Sequence, residues 1–121
     1  MTLQRAPRPE DFLPLSAPVY GVLLTLGTEA MHGYGIILAF EQATGQEGTL
    51  LPGSLYNTLG RMRKQGLVEE VAAPEGDADP RKRYYRATDL GRAVAKAESL
   101  RLRAFLQLAE AKDLSGEPSG A

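Results

Sequence analysis

The chain has no cysteine, which excludes disulfide staples, thiolate zinc sites and cysteine nucleophiles and leaves packing as the source of stability. Histidine occurs once, at His32. It has no second histidine with which to share a metal, and beside Gly33 it reads as a helix-start or loop hydrogen-bonder. Long apolar runs are also missing. Stretches such as GVLLTLG fall far short of the roughly 18–20 residues that cross a bilayer, and MTLQRAPRPEDF has no signal-peptide core, so the expected compartment is the cytoplasm. There is no phosphate-cradling glycine motif, and the carboxylates fall in loops and on polar helix faces. Glu69 and Glu70, adjacent in a β-prone run, would point to opposite faces of a strand rather than act as an acid/base couple. No enzyme, metal or cofactor is expected.

What is present suits one domain: 121 residues with enough apolar content for a single modest core. The formal net charge of −1 is nearly neutral, so the distribution of charge matters more than its sum. Arg61, Arg63, Lys64, Arg81, Lys82, Arg83 and Arg86 make up half of the 14 lysines and arginines. Acidic residues are interspersed among them, so only folding could separate the signs.

Helical spacing of Val19, Val22, Leu23 and Leu26 predicts a first helix over 18–26, with Ser16 as N-cap and Gly27 as its stop. Ile36, Ile37, Phe40 and Ala43 form a second apolar stripe, closed by Gly45. Thr49, Leu50 and Leu51 suggest a strand fragment before a third helix, whose start Pro52 and Gly53 suit, with Ser54 near the cap, a body over 54–65 and Gly66 as its end. The runs LVEEVAA and KRYYRAT, separated by a loop of Pro, Gly and Asp, predict a hairpin. Thr88 caps a last helix of some six turns, free of proline. The expected fold class is mainly α with a small β-hairpin: a winged helix-turn-helix plus a long C-terminal dimerisation helix. Its expected divisions are an extended or loosely ordered arm over 1–13, the winged domain over 14–88, the dimerisation helix over 89–112 and a disordered tail over 113–121.

On a wheel centred at Leu55, Leu59 and Met62 stay within about 40°, while Tyr56, Asn57, Gly60, Arg61 and Lys64 cover the opposite arc. A helix with one core side and one such free side fits a DNA major groove, about 12 Å wide. Arg81, Lys82, Arg83 and Arg86, at or beside the returning strand, could straddle the backbone that flanks the groove, with a steep dependence on salt. Taken alone, Arg61, Arg63 and Lys64 read more readily as an ordinary solvated helix face, and Tyr56 as a half-buried aromatic leaning on its neighbours. One of Tyr84 and Tyr85 at least should pack inward.

The terminal helix carries two apolar stripes, Leu90, Val94, Ala97, Ala104 and Leu108 in one and Ala95, Leu102, Leu106 and Ala109 in the other, roughly 100° or more apart. One small domain can cover only one of them, which predicts a homodimer through Leu102, Phe105, Leu106 and Ala109, with Phe12, Leu13 and Leu15 reaching across the partner. Two recognition helices on one face of a dimer would read an inverted repeat. A small hydrophobic effector could occupy the dimer seam, although the same residues are what an interface core needs.

The segments MHGYGI, LPGSLYNTLGRMRKQGLVEE and DPRKRYYRATDLGRA, in this order and spacing, resemble the PadR family of transcriptional regulators over nearly the whole chain. The resemblance implies a winged-helix DNA-binding domain, a dimer joined through the C-terminal helix, and repression of nearby genes. It places Ser54, Tyr56 and Asn57 on DNA at the start of the recognition helix, and the wing from Arg81 to Tyr85 near the flanking backbone. The single terminal helix is that of a compact subgroup. Three acidic residues at the wing tip favour the base of the wing over its tip as the contact. The rival reading is a winged helix used for protein binding, which should carry an apolar patch on its third helix.

Overall fold

A computed structural model describes residues 6–76, 79 and 81–116. Four α-helices surround a small three-stranded antiparallel sheet: α1 (Ala17–Leu26), β1 (Met31–His32), α2 (Gly33–Thr44), α3 (Pro52–Lys64), β2 (Val68–Val71), β3 (Tyr84–Ala87) and α4 (Asp89–Ala111). Local chemistry sets the ends. The Ser16 hydroxyl accepts from the Val19 N–H at 3.4 Å, and Gly45, at φ +68°, closes α2. After α3, Gly66 at φ +80° lets the Leu67 N–H reach back to the Met62 carbonyl at 2.9 Å. Thr88 does two jobs at once. Its hydroxyl accepts from the Gly91 N–H at 3.0 Å and donates to the Gly66 carbonyl at 2.5 Å, tying the start of α4 to the end of α3.

The core is built where α1, α2 and α3 meet the sheet, around Val22, Leu26, Ile36, Leu55, Leu59 and Met62, all at most 2% exposed. Three expectations need correction. The strand fragment expected at 49–51 does not form; the third strand is Met31–His32, which joins the edge of the sheet through Met31↔Tyr85 and His32↔Tyr84, giving the order β1-β3-β2. Helix α3 does begin at Pro52, whose fixed φ suits the first helical position and which leaves no donor there to satisfy, but its N-cap is Leu51 and Ser54 lies inside the first turn instead of near the cap. The N-terminal segment is not extended. Pro9–Phe12 form a turn of 3-10 helix docked on α4, and Phe12, Leu13 and Leu15 pack against the core of their own chain. Of the segment expected as an arm, residues 1–5 lie outside the described residues, as do 117–121 of the expected tail.

A buried carboxylate fixes that docking. Glu98, 1% exposed on α4, accepts from the Leu15 N–H at 2.7 Å and from the Arg101 guanidinium. The hydrogen bond from Arg101 foremost holds the Glu98 carboxyl below the usual carboxylate range, against the opposing effect of burial. At the next residue of α4, the Ser99 hydroxyl shares a hydrogen bond of 2.6 Å with the Tyr20 hydroxyl. The division of labour along α4 also differs from expectation. Val94, Ala95 and Glu98 are buried in their own domain, so its first half is covered on both stripes, whereas Leu100, Leu102, Phe105, Leu106 and Leu108 are all exposed. The chain covers α4 by length, not by face.

Candidate nucleic-acid interface

Helix α3 turns Leu55, Thr58, Leu59 and Met62 inward, because apolar residues three and four apart share one side of the helix. Ser54, Tyr56, Asn57, Arg61, Arg63 and Lys64 are all exposed on the other side. Among the described residues, Arg61 and Lys64 have no carboxylate within ion-pair distance. Their charges are fully available to an anionic partner, and they sit in the last turn of α3, where cations also suit the helix dipole.

The wing distributes its cations differently. The register pairs Glu69 with Arg86 and Glu70 with Tyr85, so in each pair the side chains share a face and the two pairs lie on opposite faces. Arg86 is held by Glu69 at 2.6 Å on the face away from α3. On the other face, Arg63, Arg81, Arg83, Tyr56 and Tyr85 line a crevice of about 320 Å³ between α3 and the wing. Glu70 reaches Arg63 at 3.9 Å and Arg83 at 3.8 Å, and Arg81 lies on Asp79 at 3.1 Å. Lys82 is exposed at the base of the wing. Asp77, one of the acidic residues expected at the wing tip, lies outside the described residues.

Tyr84 and Tyr85 are both buried, at 8% and 6% exposure. Tyr85, expected on DNA, belongs to the core cluster and also lines the crevice. Burial first, and then the Glu70 carboxylate, push its phenol above the usual value, against the pull of Arg83 and Arg63. Tyr84 occupies the other face and stacks on His32 with ring centroids 5.5 Å apart. His32 therefore serves as a packing ring. It makes no side-chain cap to α2, contrary to the expected hydrogen-bonding role.

Two kinds of contributor do not stand out in the sequence, a pair of glycines and one carboxylate. Gly33, at the start of α2, leaves the space in which the Tyr56 ring rests, since a β-carbon there would lie 2.9 Å from the Tyr56 hydroxyl oxygen. Gly35 makes the same room for the His32 ring, at 2.8 Å. The signal was available in the alternate glycines of HGYG, which weaken a helix start unless something must approach closely. Glu70 was the second: its role depends on strand register, which the chain does not display until β2 and β3 are paired.

On the proposed seam, Leu102, Phe105 and Leu106 are exposed and Ala109 is half-buried, and the Arg101 guanidinium lies over the Phe105 ring at 5.3 Å. No helix among the described residues is long and apolar enough to cross a membrane, and none of them form a cluster suited to a metal ion.

Residues 22–97 match the model of the transcriptional regulator PadR-like family. An uncharacterised 37.1 kDa protein of transposon TN4556 from Streptomyces fradiae is 35% identical over 78 residues, 64% of this chain. The chain spans 21% of that relative's length. Among solved structures, a PadR family regulator from Clostridium difficile R20291 superimposes with a TM-score of 0.63 at 20% identity, covering 77% of this chain and 94% of the other. Bacillus subtilis PadR, solved in complex with operator DNA, gives 0.59 at 22% identity, covering 84% of this chain and 65% of the other. At such identities these likenesses concern the fold.

Proposed function

Because the chain belongs to the PadR-like family of transcriptional regulators, we propose that it is a dimeric repressor that reads an inverted-repeat operator with α3 in the major groove. The observation that carries this reading is the outward face of α3, where Tyr56 and Asn57 stand beside the unpaired Arg61 and Lys64 over a fully buried opposite side. Asn57 offers the amide that pairs with base edges, while Arg61 and Lys64 suit phosphates. Ser54, exposed in the first turn of the helix, offers its hydroxyl to a phosphate or base edge. The base of the wing, with Arg81, Lys82 and Arg83, would rest on the flanking backbone. Binding across a promoter would block transcription, and the working compartment would be the cytoplasm.

The homodimer rests on α4. Its second half carries Leu102, Phe105 and Leu106 into solvent, an apolar surface that a two-fold partner presenting the same residues would cover. Such a dimer would bring two α3 helices onto one side of a duplex, with half-sites about one turn apart. A small hydrophobic effector would find its lining next to this seam, in an apolar groove of about 370 Å³ between Leu24 of α1 and Leu100 of α4. The exposed face of α3 is polar and cationic, which disfavours the protein-binding alternative.

Titrating labelled fragments of the gene's own upstream region at two salt concentrations tests the reading. Expected is sequence-dependent binding that weakens steeply with salt, and weakens further with Arg61→Ala or Tyr56→Ala while the oligomeric state is unchanged. Binding to neither that region nor genomic fragments would sink it.

A further inference from the structure

A carboxylate holds two of the arginines that line the crevice between α3 and the wing. Glu70 sits on β2 between two arginines from different elements, Arg63 of α3 at 3.9 Å and Arg83 of the wing at 3.8 Å. Its side chain is 37% exposed, and those of Arg63 and Arg83 are 51% and 66% exposed. The pairs are thus loose, solvent-reached and individually weak. A carboxylate there does what a backbone phosphate would do, since both are anionic oxygen acceptors that a guanidinium grips with two parallel donors.

We propose that Glu70 is a specificity-determining residue of the DNA-binding face, an internal stand-in for phosphate that holds Arg63 and Arg83 until a correctly seated duplex displaces it. The inference rests on the DNA-binding reading given above. Non-specific binding draws almost all of its strength from phosphate contacts. A duplex in the wrong register gains little else, so it leaves Arg63 and Arg83 on Glu70 and binds through the unpaired Arg61 and Lys64. On the operator, base contacts by α3 hold the duplex in place, and a phosphate then competes at close range for the two guanidinium groups. Glu70 thereby lowers affinity for random DNA more than affinity for the operator. Arg81 lies on Asp79 at 3.1 Å and Arg86 on Glu69 at 2.6 Å, and among the described residues Glu70 is the carboxylate that bridges the wing and α3.

The test compares the full-length wild type with Glu70→Gln, which keeps shape and hydrogen-bonding length and removes the charge, and with Glu70→Ala, which removes both. Each is titrated across a salt series against a mixed-sequence duplex and against the upstream fragment that the wild type binds best. Both variants should bind the mixed duplex about five- to ten-fold more tightly, with a plot of log affinity against log salt steeper by about one, and the specificity ratio should fall. An unchanged slope and ratio, or weaker binding to both duplexes, with wild-type binding intact, would overturn the inference alone. Loss of affinity would mean that Glu70 aims the arginines instead of withholding them. Wild-type protein that binds no duplex at any salt would overturn the DNA-binding reading, and this inference with it.

Discussion

The phenol of Tyr56 on α3 rests over Gly33 at the start of α2, where a β-carbon would stand 2.9 Å from the hydroxyl oxygen and 3.0 Å from the ring. The ring is nevertheless 56% exposed. The first helix of the helix-turn-helix therefore aims an aromatic of the second without burying it. Gly33→Ala should push the ring off this seat. The displaced atoms are the far end of a side chain with room to swing, so the thermal midpoint should fall little, by the equivalent of about 1 kcal/mol or less. Affinity for the best-bound upstream fragment should drop several-fold, approaching that of Tyr56→Ala. Fluorescence anisotropy alongside thermal melts would check it, and wild-type affinity in Gly33→Ala would detach the aromatic's placement from binding.

Gly91 presents the opposite case. A β-carbon there would run into the backbone carbonyl of Leu67, and the same carbonyl accepts the Thr88 N–H at 3.0 Å. No flexible group can yield. Gly91→Ala should cost about 3 kcal/mol or more, because backbone must move and the cap from Thr88 is disturbed with it. Thr88→Ala, which removes the cap and the hydroxyl's bond to the Gly66 carbonyl but moves no backbone, should cost about 1–2 kcal/mol. Urea denaturation of the two variants would rank them, and a Gly91→Ala midpoint at or above that of Thr88→Ala would contradict the close packing of α4 on the Leu67 backbone.

These contacts mark what the sequence could and could not reveal. Helices α1 to α4 were legible because Val22, Ile36, Leu59 and Val94 fall on helical spacing between strong stop signals such as Gly27 and Gly45. The outward set on α3 followed from the same spacing. Strand β1 was not legible: two residues carry no alternation, and Met31–His32 becomes a strand only because β3 offers it an edge. The docking of Phe12 and Leu15 escaped for a related reason, since it depends on Glu98, which is 83 residues from Leu15 in the chain. Which wing cations were free depended on register and could not be counted beforehand. Long-range pairing, not local propensity, decided each of these.

Glu98 gives the fold a definite acid response. Its folded carboxyl titrates below the ordinary value of 4.5, chiefly through the hydrogen bond from Arg101. A depressed acid contributes stability that is present above its unfolded value and is lost as pH falls through the folded one. Wild-type stability should therefore decline on acidification below about pH 4.5, the ordinary value. Glu98→Gln should cost about 1–3 kcal/mol at neutral pH, because a buried acceptor for the Leu15 N–H is weakened and its charge is lost. The gap between variant and wild type should narrow as pH drops. Melting curves across pH would decide it, and a constant gap would assign the loss to packing alone.

The apolar end of α4 makes the sharpest demand on a second chain. The domain covers this helix only as far as Glu98, and beyond that point Leu102, Phe105 and Leu106 stand 38%, 59% and 53% exposed. A helix in water gains nothing from such a surface, and its tertiary contacts are what normally hold it. If a partner supplies them, Leu102→Glu combined with Leu106→Glu places charges where the two copies meet. Sedimentation should then report the mass of one chain for the variant and two for the wild type. The core under α1 to α3 is untouched by these changes, so circular dichroism should retain most of its helical signal. Operator affinity should fall by far more than any single wing variant achieves, since one half-site alone must hold the duplex. Two-chain mass in the variant would remove this seam, and the arrangement of half-sites would have to be drawn from another face.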